Sequence, residues 1–263
     1  MPTNEIIRFQ DVNYYRNQTP ILQNVSFQIH EGDSVAIVGR NGAGKTTLIN
    51  LLYGYIWPTS GTIFVLGEEY GTTAIKPIQD QIGILQNSHQ EQLLQRNLTA
   101  LEVVITGIHN TIGLYREVTN EQIKLAEDKL RSLGLLLKKD QLYTSLSSGE
   151  KTKILLLRAL GENKKILILD EPTATLDLTA RYDFEKSLSV LKSQNQNLTR
   201  ILITHRIEEI PENFNKVILI REGKLLASGN KMDVLTEKHL SDLYDLNLSV
   251  TFSKNRAIVY YDI

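Results

Sequence analysis

The stretch from Ser34 to Gly54, SVAIVGRNGAGKTTLINLLYG, runs from a short, nearly all-apolar segment through a glycine-rich loop into an apolar helix. A short apolar run of this kind needs cover on both faces, as a strand inside an α/β sheet has. The loop that follows, GRNGAGKTT, matches G-x-x-x-x-G-K-[ST] at Gly39, Gly44, Lys45 and Thr46. Strand, loop and helix in that order are the context in which the pattern carries chemistry. The glycines let the backbone of Gly39, Arg40, Asn41, Gly42, Ala43 and Gly44 turn its N–H groups inward around phosphates. The helix N-terminus at Thr46 and Thr47 adds partial positive charge. Lys45 is then placed for the β and γ phosphates of a nucleotide, and the Thr46 hydroxyl for Mg²⁺.

Two further runs share the buried-strand pattern, KILILD (165–170) and RILITH (200–205). EIIRFQDV (5–12) and NVSFQIH (24–30) instead alternate, and TIFVLG (62–67) is β-rich, which predicts antiparallel strands near the N-terminus. VILIREGKLLASG (217–229) reads as a hairpin turning at Arg221 to Lys224. From about 87 to 160 the spacing becomes helical, in TALEVVITGI, NEQIKLAEDKLRSLGLL and GEKTKILLLRAL. Thr119 or Asn120 is placed to cap the second of these, with Glu127 and Asp128 at contact spacing from Lys124 and Arg131. The expected fold class is α/β: a P-loop NTPase core with an antiparallel β subdomain and an inserted helical subdomain. Residues 1–230 would form that domain, with a C-terminal extension, 231–263, packed on it.

KILILDEPTATLD (165–177) places Asp170 and Glu171 at the C-terminal end of a buried strand, where ligands of open α/β sheets bind. Asp170 would hold Mg²⁺ through water, and Glu171 would act as general base on the attacking water. Asp-Glu after a strand also serves as a plain helix cap.

Composition narrows the partners. The 263 residues are 41% hydrophobic and carry a net charge of -1 from 29 basic and 30 acidic side chains, so no bulk field favours nucleic acid or an anionic membrane. Cysteine is absent, which removes disulfides, thiolate metal sites and cysteine nucleophiles and fits a reducing cytoplasm. The opening MPTNEIIRFQDV lacks the layout of a secretion signal, and no apolar run approaches the ~18 residues of a spanning helix. A membrane role would require another chain to do the spanning.

LSSGEKTKILLLRAL, beginning at Leu146, resembles the signature of the ATP-binding cassette (ABC) family, commonly LSGGQ at the start of a helix. Ser147 and Gly149 match; Ser148 and Glu150 stand where glycine and glutamine are usual. The other family elements follow in order over about residues 5–230. The resemblance implies that Tyr15 stacks on adenine, with Tyr14 competing for that role one residue away. It implies that Gln86, in GILQN, is the Q-loop glutamine and a Mg²⁺ contact, that ATLD ending at Asp177 is the D-loop, and that His205 contacts the γ-phosphate. His205 alone would read as a core histidine.

It also implies ATP hydrolysis in a dimer, homodimeric or paired with a similar cassette. The phosphate loop of one copy and Ser147, Gly149 and Glu150 of the other would close on one ATP. Glu150 near the ribose could bond a hydroxyl or weaken closure. The expected role is the energy-coupling subunit of a transporter, working at the inner face of the membrane with a separate permease. The alternative is a stand-alone ATPase acting on ribosomes or nucleic acid, which the LSSGE variant also fits. A small-molecule kinase would have no use for LSSGE or ATLD. After Asn230, KMDVLTEKHLSDLYDLN reads as one or two short helices and VTFSKNRAIVYYDI as a hairpin turning at Lys254, Asn255 and Arg256.

Overall fold

The computed structural model describes residues 4–86, 97–111, 113 and 117–261, and the chain divides into two units, Met1–Ile82 with Thr199–Ile263, and Gly83–Leu198. The first part of the stretch expected to be helical from about 87 lies outside the described residues.

The alternating runs form β1 (Glu5–Arg16) and β2 (Thr19–His30), paired antiparallel. The turn between them puts Asn17 and Gln18 at φ 49° and 66°, the positive values that a tight hairpin requires. β3 (Ser34–Val38) is buried at every position and leads through the glycine loop into α1 (Lys45–Tyr53), which Gly54 ends in the left-handed region at φ 75°. β4 (Ser60–Val65) pairs with β1, and β5 (Glu68–Glu69) with β4, giving a sheet in the order β2-β1-β4-β5. The short α2 (Lys76–Gln79) precedes β6 (Ile82–Gln86).

The second unit contains α3 (Ala100–Ile108), α4 (Asn120–Ser132), α5 (Ser148–Leu160), β7 (Ile166–Asp170) and α6 (Leu178–Gln194), with β6 beside β7. Thr99, Thr119 and Ser147 each open a helix with a reciprocal capping box, to Glu102, Gln122 and Glu150. Thr119 is therefore the cap of α4, and Asn120 its first residue. On that helix Asp128 pairs with Arg131, while Glu127 turns to Lys139 at 2.8 Å. A Cβ on Gly107 would lie 2.1 Å from the Arg158 carbonyl oxygen, so α3 and α5 cross with their backbones nearly in contact. Only glycine permits that approach.

In the first unit the chain continues through β8 (Thr199–Thr204), β9 (Lys216–Arg221) and β10 (Lys224–Asn230). β3 lies between β8 and β9 and runs parallel to both, and β10 returns antiparallel on β9. Glu222 and Gly223, at φ 49° and 75°, make that two-residue turn. Arg200, fully buried, donates to Ser34 Oγ at 2.6 and 3.1 Å and lies over the Phe214 ring. Burial pushes its pKa down only to about 10, so the guanidinium stays charged at neutral pH. The tail forms α7 (Lys231–Val234), α8 (Glu237–Tyr244), and a hairpin of β11 (Leu248–Ser253) and β12 (Arg256–Tyr261). Its turn is Lys254-Asn255; Arg256 already belongs to β12. Among the described residues no helix is long and apolar enough to cross a membrane.

Candidate nucleotide site

In the first unit the phosphate loop is held by backbone. Gly39 leaves β3 so close to β9 that a Cβ would lie 2.4 Å from the Ile220 carbonyl oxygen. Gly42 and Gly44 take φ 83° and 101°, values that favour glycine, and Gly44 faces Leu22 and the Ile21 carbonyl of β2. The Ala43 carbonyl accepts from Gly223, whose own carbonyl accepts from Gln23, so the β9–β10 turn clamps the loop against β2.

Lys45, buried, donates its ammonium to the carbonyls of Gly39 at 2.7 Å and Arg40 at 3.1 Å, which keeps it inside the loop. Thr46, Asn41 and Gly42 are exposed, while Ala43 and Thr47 are buried. α1 has no side-chain N-cap and no acidic residue in its first turn, a helix start whose dipole suits an anion. The Arg40 guanidinium extends to Asp245 at 2.9 Å.

His205 arises from the adjoining strand end. Val38 and Thr204 are register partners in the parallel pair β3/β8, so Gly39 and His205 leave neighbouring strands at the same edge. The Thr204 hydroxyl accepts from the Arg206 N–H at 3.0 Å and donates to Glu209 at 2.8 Å, and the His205 carbonyl accepts from the Tyr244 hydroxyl at 2.9 Å. Tyr15 and Tyr14 sit near the end of β1, opposite Pro20 and Leu22, beside the part of β2 that touches Gly44. Tyr15 is exposed and Tyr14 half-buried, so of the two Tyr15 offers the more open ring.

In the second unit, β6 and β7 bring Gln86 and Asp170 together: the Gln86 amide donates to the Asp170 carboxylate at 3.1 Å. The oxygens of a side-chain amide and a carboxylate are hard donors of the kind Mg²⁺ takes. Glu171 follows in the left-handed region at φ 45°, an uncommon conformation for glutamate, which turns the chain sharply away from β7. Asp177 caps α6, accepting from the Ala180 N–H at 2.8 Å. Gly149, at the start of α5, lies against that same turn, where a Cβ would be 2.9 Å from the Ala180 Cβ.

An open groove of about 410 Å³ runs along these two helix starts, lined by Ser147, Gly149, Glu150, Asp177 and Ala180 among others. Glu150 is engaged within its own chain. Its carboxylate accepts from the Ser147 N–H at 2.9 Å and lies 3.5 Å from Lys138, and these contacts hold its pKa below the usual range. Lys138, Tyr244 and Asp245 escaped sequence reasoning, because none stands at motif spacing from the residue it touches. The S-x-x-E spacing of the capping box at Ser147 was visible in the sequence.

The family model for ABC transporters matches residues 22–174. The chain belongs to the ABC transporter family. It is 33% identical to the ABC transporter ATP-binding protein YlmA of Bacillus subtilis over 97% of this chain and 96% of that one. It is 32% identical to the energy-coupling factor transporter ATP-binding protein EcfA1 of Mycoplasmoides gallisepticum, over 97% of this chain and 88% of that one. Among solved structures it resembles cbiO1 from Clostridium perfringens, described as part of the ABC transporter complex cbiONQ, with TM-score 0.78 and 28% identity over 91% of this chain and 94% of that one. The cassette therefore binds and hydrolyses ATP, and its kinship favours transport over the stand-alone ATPase acting on ribosomes or nucleic acid.

Proposed function

We propose that this cassette is the ATP-hydrolysing subunit of a membrane transporter, that two cassettes close face to face on ATP, and that a separate permease receives the motion. Location at the inner face of the cell membrane follows from that partner. The observation that carries the reading is the phosphate end of the first unit, where the glycine loop, Lys45 and His205 leave adjoining strand ends. Similarity over nearly the whole chain to a relative named as an energy-coupling factor transporter ATP-binding protein supports the transport role.

In this reading the N–H groups of residues 39–47 cradle the phosphates, and Lys45 exchanges its carbonyl partners for the β and γ oxygens. Tyr15 stacks on adenine. Thr46, Gln86 and Asp170 hold Mg²⁺, which supplies charge neutralisation on the phosphates when bound. Glu171 takes the proton of the attacking water, and His205 contacts the γ-phosphate. Ser147 and the Gly149 N–H address the γ-phosphate of the facing subunit from a helix N-terminus, with Glu150 and Asp177 at the same seam. A lone copy then lacks half of each site and hydrolyses ATP poorly. Hydrolysis removes the γ-phosphate contacts and the pair opens.

The test is Glu171→Gln in Mg-ATP, read by light scattering and phosphate release. Retained ATP binding, a stable dimer and turnover lower by about two orders of magnitude or more are expected. A mutant that stays monomeric, or that turns over at the wild-type rate, would refute the assignment.

A further inference from the structure

Consecutive residues at the end of α8 reach two separate parts of the phosphate end. Asp245, which closes the helix at φ 56°, accepts from Arg40 of the loop at 2.9 Å and from Arg221 of β9 at 2.7 Å. Arg221 also donates to the Asp242 carbonyl, so the last turn of α8 is fastened to β9. Each of these ion pairs is exposed and weak by itself, but together they fix where the helix ends. That placement directs the half-buried Tyr244 inward, and its hydroxyl donates to the backbone carbonyl of His205 at 2.9 Å.

His205 lies one residue beyond the last ladder pair of β8 with β3. The Thr204 and Glu209 contacts hold the chain on one side of it, and Tyr244 holds its own carbonyl. Burial and the nearby Glu208 raise the Tyr244 pKa, so the hydroxyl keeps the proton it donates.

We propose that Tyr244 is a positioning residue for His205, fixing the peptide that carries the imidazole, and that the C-terminal extension thereby belongs to the ATPase machinery. The inference rests on the reading above, in which His205 contacts the γ-phosphate. It predicts that loss of a single oxygen atom, 39 residues from His205 in sequence, lowers the rate of hydrolysis without weakening ATP binding.

The experiment compares wild type, Tyr244→Phe, His205→Ala and the double variant in steady-state ATP hydrolysis, with thermal melts of each. Phenylalanine keeps the ring and its packing. Expected for Tyr244→Phe are a kcat about three- to tenfold lower, a KM for ATP within about twofold and a melt lower by no more than about 4 °C, the cost of one hydrogen bond. The same change in a His205→Ala background costs nothing further. Wild-type kcat in Tyr244→Phe, or an equal fractional loss in both backgrounds, overturns the proposal. If wild type and His205→Ala hydrolyse at one rate, the role given to His205 has failed instead. Amide exchange of residues 205–207 in the nucleotide-free proteins then decides: faster exchange in Tyr244→Phe upholds the positioning contact, and unchanged exchange overturns it.

Discussion

The Glu150 carboxylate accepts from the Ser147 backbone N–H at 2.9 Å while the Ser147 hydroxyl accepts from the Glu150 N–H at 3.3 Å. Two leading N–H groups of the signature helix are thus satisfied reciprocally, and the residue that departs from the family's usual glutamine is half of the device. Glutamine caps in the same way. The extra negative charge of Glu150 is met by the helix N-terminus and by Lys138.

Glu150→Gln should therefore leave urea stability at pH 7 within about 0.5 kcal/mol, whereas Ser147→Ala should cost about 1 kcal/mol. Because the folded state holds the Glu150 pKa low, its stabilisation is present above the ordinary value of 4.5 and is lost as pH falls through the folded value. The small advantage of glutamate over glutamine should vanish in acid. A Glu150→Gln helix that melts far earlier at pH 7 would contradict this account.

Lys231 gives a pH signature of the same sign in the alkaline range. It is buried, its ammonium donates to the carbonyls of Pro211 and Glu212 at 3.2 and 3.3 Å, and burial, with Arg256 nearby, pushes its pKa down to about 8. Between that value and the ordinary 10.5 the unfolded chain holds a proton that the folded chain has released, so stability rises with pH across the window. Relative to Lys231→Met, wild type should gain at most about 3 kcal/mol from pH 7.5 to 10.5. Parallel pH profiles in urea denaturation would remove this role.

The fold was legible where burial is continuous. β3 and β8, buried at every position, stand where their apolar runs predicted, and the Glu222-Gly223 turn stands where the hairpin did. β1 was legible only as far as Val12. Register shifts around Asp11, at φ 49°, break the two-residue period, so the strand continues to Arg16 without the alternation that would announce it. The loop and its lysine declared themselves through fixed spacing. The contact of Arg40 with Asp245 spans 205 positions, and the fold alone brings the two together.

Two glycines of the loop should respond differently to alanine. At Gly39 the new methyl would lie 2.4 Å from a backbone oxygen of Ile220, which cannot step aside without moving β9. At Gly42 nothing lies within 4 Å, and only the positive φ is penalised. Gly42→Ala should cost about 1 kcal/mol of stability, and Gly39→Ala more than about 2 kcal/mol, with weakened ATP binding. Thermal melts with and without ATP would rank them; the reverse order would mean that the loop does not pack on β9 as described.

The tyrosines at the end of β1 separate binding from folding. Tyr15 is 44% exposed and spends little of its ring on the core, whereas Tyr14 is half-buried opposite Leu22. If Tyr15 stacks on adenine, Tyr15→Ala should weaken ATP binding by about five- to a hundredfold, the range of a lost base–aromatic stack, with a melt close to wild type. Tyr14→Ala should lower the melt through lost packing on β2 and leave affinity nearly intact wherever the protein is folded. Titration with a fluorescent ATP analogue, repeated with the triphosphate alone, separates a base contact from a phosphate contact. Tyr15→Ala should leave the triphosphate affinity unchanged. An affinity loss confined to Tyr14→Ala would transfer the stacking role one residue toward the N-terminus, onto the side chain that faces Leu22 beside the phosphate loop.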